Sequence, residues 1–111
     1  MKQVVKNYSD NGLALDTIWN DIDYLYDYRD WTFDPVAFHD LGQFVQDLHN
    51  KTNQRYVPII DAGIAKRDNQ GYKAYDEGIK ADVFIKAHAE LDEPFIARVW
   101  PTDAVFPDFF K

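Results

Sequence analysis

The sequence predicts an α/β fold built on parallel strands over its first 63 residues, and three observations lead there. Helical and strand periodicities alternate along the chain, the links between them are short, and no internal repeat or low-complexity tract competes with that pattern. Helix, strand, helix, strand is the grammar of βα units, whose parallel strands must be covered by helices and joined by right-handed crossovers. The 111 residues are 46% apolar and 16% aromatic, which suits one globular core and excludes a disordered chain.

The elements follow in order. Residues 2–11 read as the end of a helix, with Val4, Val5 and Tyr8 on one face and Gly12 where a left-handed terminating residue belongs. Residues 13–20 read as a buried strand interrupted by Asp16 and running into the polar aromatic stretch Asp21-Ile22-Asp23-Tyr24. The best-marked helix starts at Asp40, a candidate cap, because Leu41, Phe44, Val45 and Leu48 recur at helical spacing. After a polar turn at 50–54, residues 56–60 form a second strand-like run that ends in Asp61-Ala62-Gly63. Pro58 removes a ladder donor, so it belongs at an edge or a bulge. Beyond residue 63, the runs 83–85 and 95–99 read as short strands joined through the polar span 88–93, an antiparallel hairpin inserted after the second parallel strand.

Charge and residue usage narrow the function classes. Nineteen acidic residues against 12 basic ones give a net charge of −7, which repels phosphate backbones and anionic membrane surfaces, so neither nucleic acid nor membrane is an expected partner. No run approaches the roughly 18 apolar residues of a membrane span, and residues 1–7 lack the apolar stretch of a signal peptide. Cysteine is absent, which excludes disulfides and thiolate chemistry. His39, His49 and His88 lie far apart without metal-ligand spacing. Two N-x-[S/T] triplets, at Asn7 and Asn50, point to a secretory-pathway parent, lysosomal or extracellular.

Two adjoining stretches carry a resemblance: Trp19-Asn20-Asp21-Ile22-Asp23-Tyr24, and Arg29-Asp30-Trp31-Thr32-Phe33-Asp34-Pro35. Together they are similar to the region around the second barrel strand of the α-glucosidases of glycoside hydrolase family 31. The likeness continues through 45–49, 56–64, 72–78, 99–101 and 106–109, nearly the whole chain. It implies a partial (β/α)8 TIM barrel, about strands 2 and 3 with their helices, plus the inserted hairpin. Residues 1–111 would then be one segment of a catalytic barrel, with βα units over 1–63 and the inserted loop and hairpin over 64–111.

The activity implied is that of a retaining hydrolase releasing terminal α-linked glucose from oligosaccharides or glucans, with no metal or organic cofactor. Such enzymes set two carboxyl groups about 5–5.5 Å apart, one as nucleophile and one as acid/base. In the family these are aspartates on the fourth and sixth barrel strands. The nucleophile motif, a Trp-x-Asp-Met-Asn-Glu pattern, follows the segment resembling 106–109, so no catalytic residue is assigned in this chain.

The resemblance implies substrate-binding roles for Asp21, Ile59 and Trp100. Asp21 would hydrogen-bond hydroxyls of the glucose in the −1 subsite, Ile59 would line the sugar pocket, and the Trp100 indole would wall the sugar's C–H face. Trp19, Asp23 and Asp61 are assigned supporting roles; strand alternation would put Trp19, Asp21 and Asp23 on one face. Asp61 has an alternative reading as a loop-capping residue, and Ile59 as a core residue. Barrel enzymes gather their sites at the C-terminal strand ends, so Asp21 and Asp61 are expected at one end of adjacent parallel strands. A different class of function stays open, a non-catalytic module binding carbohydrate or protein. Exposed strand edges make self-association an expected property.

Overall fold

Local signals in the first helix translate directly into structure. In the computed structural model, which describes residues 1–88, 90, 92–99 and 102–111, α1 (Lys2–Asp10) stops at Asn11 and the next residue, Gly12, takes φ +64°. The Gly12 N–H donates to the Ser9 carbonyl at 3.1 Å and the Leu13 N–H to the Tyr8 carbonyl at 2.9 Å. These paired bonds close a helix on a left-handed residue, which glycine adopts without steric cost. The chain divides into two compact units, one of Met1–Tyr24 and Asp34–Ile59, the other of Leu25–Phe33 and Ile60–Lys111.

In the first unit β1 (Thr17–Asn20) and β2 (Arg55–Pro58) pair in parallel, Thr17 opposite Arg55 and Asn20 opposite Pro58. The parallel expectation holds, with both strands shorter than the sequence suggests. Neither strand is fully buried: exposed and half-buried residues alternate along each, so the reading of 13–20 as a buried strand is corrected. Pro58 is accommodated because Arg55 donates to the Asp16 carbonyl at 2.8 Å and Ile59 to the Asn20 carbonyl at 2.9 Å. Odd-numbered residues thus point their N–H groups at β1, and the proline nitrogen falls on the open edge.

Helix α2 (Leu41–Asp47) runs on through a π-helical turn, Leu48–Thr52, and ends at left-handed Asn53. Phe44 and Leu48 of its apolar stripe are buried, as the periodicity requires. Asp40 occupies the N-cap position but makes no capping bond; its carboxylate pairs instead with Lys2 in an exposed ion pair. Upstream, Asp34 does cap: its Oδ1 accepts the Val36 and Ala37 N–H groups at 2.8 and 2.9 Å, ahead of the turn that leads to α2.

The second unit is organised by an antiparallel sheet of order β3-β5-β4: β3 (Ile64–Ala65), β5 (Thr102–Val105) and β4 (Ala97–Val99). With α3 (Lys73–Lys80) it buries a cluster of Ile64, Ala65, Tyr72, Tyr75, Phe84 and Val105. Gly78 allows the close approach of that helix, since a Cβ there would lie 2.4 Å from Cζ of Phe84.

The expected hairpin is present in part, where Lys86 bridges Pro94 antiparallel and the Ala87 N–H donates to the Glu93 carbonyl at 3.1 Å, and is corrected beyond that. Strand β4 pairs with β5, Ala97 opposite Ala104, whereas 83–86 contributes isolated bridges, Phe84 to Pro107 and Lys86 to Pro94. Phe95 still donates to the Ile85 carbonyl at 2.7 Å, but Pro94 and Pro107 lack the N–H that would extend the ladders. Proline-free β5 takes both neighbours and sinks Ala104 and Val105 completely. Among the described residues neither sheet closes into a barrel, so the structure is a small mixed α/β arrangement. No described helix is long and apolar enough to cross a membrane.

Candidate functional site

The end of β1 is a designed corner in the first unit. After Asn20 the chain turns into a single 3-10 turn, Ile22–Tyr24, and Asp21 supports it by accepting the Ile22 N–H on Oδ1 at 2.8 Å. Strand alternation therefore stops at Asn20 and does not carry through to Asp23, contrary to the expectation of one shared face for Trp19, Asp21 and Asp23. Both carboxylates are exposed, as is Trp19, whose partner across the parallel pair is Val57.

Ile59 is half-buried and is held from both sides. Its N–H donates to the Asn20 carbonyl at 2.9 Å, and its carbonyl accepts the buried Tyr24 hydroxyl at 2.7 Å. The corner that carries Asp21 and Asp23 is thus tied to Ile59 at the C-terminal end of the parallel pair, with two acceptor groups in solvent beside a half-apolar wall. The Asp34 N–H donates to the Tyr24 carbonyl at 2.8 Å and anchors the same residue again.

Asp61 belongs to the second unit, where it is half-buried and turns the chain toward β3. Its Oδ1 accepts the Gly63 N–H at 3.1 Å, the loop-capping geometry, and its own N–H donates to Oδ1 of Asp30 at 3.1 Å. In sequence Asp21 and Asp61 follow the C-terminal ends of β1 and β2, which lie at the same end of the parallel pair. Trp100 lies outside the described residues.

Sequence reasoning missed Asp30, Tyr24 and the cluster around Arg29. Asp30 is only 2% exposed, and burial pushes its carboxyl up to about 6, against the Asp61 N–H that favours the charged form and with the Asp61 carboxylate that disfavours it. The Tyr72 hydroxyl donates to the Asp30 carbonyl at 3.0 Å; burial first, then the Asp30 charge, pushes that phenol up to about 12. Arg29 donates to Asp27 at 3.0 Å and to Gln70 at 2.7 Å while lying over the rings of Tyr26 and Tyr72. These residues sit in the stretches that carry the resemblance, yet no periodicity marks a polar loop residue as buried. Among the described residues no group of three or more His, Asp or Glu side chains converges to hold a metal ion.

Comparison with known proteins brings the site into a context. Residues 1–111 match the family described as the glycosyl hydrolases family 31 TIM-barrel domain. Lysosomal alpha-glucosidase of Mus musculus is 40% identical over 110 residues, covering 98% of this chain and 11% of its own length. Intestinal sucrase-isomaltase of Homo sapiens is 40% identical over 112 residues, 98% of this chain and 6% of its own. Among solved structures, the glucosidase II alpha subunit in its alpha3-Glc2-bound form superposes with a TM-score of 0.89 at 26% identity, over 99% of this chain and 11% of that one. The family 31 alpha-glucosidase from Bacteroides thetaiotaomicron gives 0.75 at 30% identity, over 97% of this chain and 18% of that one. The chain thus spans a small part of the length of the curated relatives it matches.

Proposed function

Because this chain belongs to glycosyl hydrolase family 31, we propose that it is the part of a retaining α-glucosidase around barrel strands 2 and 3. In that role it supplies binding residues for a terminal α-linked glucose, while the nucleophile and acid/base come from other strands. The observation that carries this reading is the corner at the end of β1, where exposed Asp21 is fixed next to Ile59 by the Asn20 and Tyr24 hydrogen bonds.

A carboxylate so placed accepts sugar hydroxyl protons. Its value to catalysis lies in orientation: hydroxyl hydrogen bonds that strengthen as the ring flattens toward an oxocarbenium-like transition state lower the barrier. Ile59 gives the ring an apolar contact, and Trp100 supplies the stacking wall. Trp19 and Asp23 are assigned supporting roles beside Asp21, and Asp61 a supporting role within the second unit. Two strands of a parallel sheet present open edges, and we assign these to further barrel strands, or to self-association when such strands are lacking.

The test is kinetic. In the full-length protein that carries this chain, Asp21→Asn should lower kcat/KM for maltose by about ten- to a hundredfold, the range of a hydrogen bond to a charged group. The 111-residue chain alone should turn over no α-glucoside above an Asp21→Asn control. An unchanged kcat/KM in the full-length variant removes Asp21 from the site, and binding of maltose without turnover favours a non-catalytic carbohydrate-binding role.

A further inference from the structure

The turn that joins α2 to β2 faces solvent along its length. After buried Leu48, residues 49–53 are all exposed, and the chain leaves its π-helical turn through left-handed Asn53. The polar side chains on either side of position 50 are engaged locally: Asp47 pairs with Lys51 at 3.0 Å, and the Thr52 hydroxyl donates to the Leu48 carbonyl at 2.8 Å. Asn50 is different. Its side-chain amide makes no hydrogen bond among the described residues. Asn7, which opens the other N-x-[S/T] triplet, lies inside α1 and accepts the Gln3 amide at 2.7 Å.

Asn50-Lys51-Thr52 has the composition of an acceptor for N-linked glycosylation, a modification that adds a bulky hydrophilic group and so requires a side chain free to stand in water. Position 50 meets that requirement. Leu48 turns inward and fixes the helix end, while the amide two residues on projects from it with nothing of the chain to hold.

We propose that Asn50 carries an N-linked glycan. In the transfer, the Asn50 amide nitrogen attacks the anomeric carbon of a lipid-diphosphate-linked oligosaccharide. An N–C bond forms, the C–O bond to the diphosphate breaks, the amide gives up one proton, and the lipid diphosphate leaves. The third-position hydroxyl is required for this step, and in the folded chain it is held by the Leu48 carbonyl. Transfer therefore precedes folding of the turn, after which the amide alone stays outward.

The position also keeps the glycan clear of the β1 corner. Asn50 precedes β2 and belongs to the N-terminal end of the parallel pair, whereas Asp21 and Ile59 follow the C-terminal ends of the two strands. Four residues of β2 separate these ends by about 13 Å.

The experiment uses the full-length protein carrying this chain, expressed in eukaryotic cells under its own targeting. The denatured protein is treated with peptide N-glycosidase in heavy-oxygen water, which leaves a labelled aspartate wherever a glycan stood, and is then cut with trypsin. Cleavage after Lys6, Arg29 and Lys51 separates the triplets into peptides 7–29 and 30–51, and Asn50 is the only asparagine of the second. Peptide 30–51 should carry the label with the glycosidase and lack it without. Thr52→Ala keeps Asn50 but should abolish the label, and Thr52→Ser should restore it.

An unlabelled peptide 30–51 overturns the proposal, as does a label that persists in Thr52→Ala. A label on 7–29 alone moves the glycan to Asn7, and no label on either peptide removes the secretory expectation as well. If Thr52→Ala prevents folding, the label in the unsubstituted protein decides. Asn50→Gln should leave KM for maltose within about threefold, the range of a surface substitution, and a larger change overturns the separation of glycan and corner. Only that arm rests on the α-glucosidase reading: absence of turnover in the unsubstituted protein removes that reading and leaves the glycan result standing.

Discussion

The two units solve the burial problem in opposite ways. The antiparallel unit packs Ile64, Ala65, Tyr72, Tyr75, Phe84 and Val105 into a core in which every member is at most 5% exposed. The parallel unit leaves Trp19 at 56% and Val57 at 47% exposure, facing partners across its two strands. Parallel sheets are ordinarily covered on both faces, so the two strands of the first unit leave apolar surface uncovered. The difference teaches where stability resides: the second unit gathers a continuous buried cluster, and the first carries its β1 corner on strands whose own burial is modest.

The largest expected effect tests the core. Phe84→Ala should destabilise the second unit by about 3–5 kcal/mol, through lost burial and the cavity left against α3. Region-resolved hydrogen exchange should show protection falling in 64–65 and 102–105 and much less in 17–20 and 55–58. Equal loss in both units would erase the distinction between them.

A smaller effect comes from pH. The folded Asp30 carboxyl, at about 6, lies above its ordinary value of 3.8, so the folded state binds this proton more tightly than the unfolded chain does. Its contribution is fully present below about pH 4 and is lost as pH rises through about 6, to a total of about 3 kcal/mol. Denaturation midpoints measured between about pH 4 and 7 should fall with rising pH, and Asp30→Asn should flatten that fall. A slope unaltered by the substitution would assign the pH dependence to other groups.

The smallest effect belongs to the parallel unit. Tyr24→Phe removes the hydroxyl that holds the Ile59 carbonyl and should cost about 1 kcal/mol. The accompanying loosening should be confined to exchange at 20–24 and 55–59. A global loss comparable to that of Phe84→Ala would mean that the corner, and not the antiparallel core, sustains the fold.

Much of the first unit was legible in the residues. Gly12 marked the end of α1, the Leu41, Phe44, Val45 and Leu48 spacing marked α2, and two β-rich runs marked strands that do pair in parallel. Each of these signals is local, a matter of φ preference or of period within a dozen residues. The Trp19–Tyr24 stretch likewise pointed to the right family, which the comparisons bear out. The second unit was harder. Helix α3 hides its buried face in Tyr75 and Gly78, and the run 83–85 looks like a strand until Pro94 and Pro107 limit its ladders.

The sequence by itself thus determined the α/β alternation, the helix ends, the parallel pair and the family, because these follow from nearest-neighbour stereochemistry and from motif identity. Tertiary structure alone decided that β5 is the central strand, that Asp40 serves Lys2 in place of its helix, and that Asp30 is buried beneath the Asp61 turn. Those outcomes depend on which of several competing partners is nearest in space. Hydrogen bonds and desolvation act over a few ångströms between residues that lie tens of positions apart, and no local period records that distance.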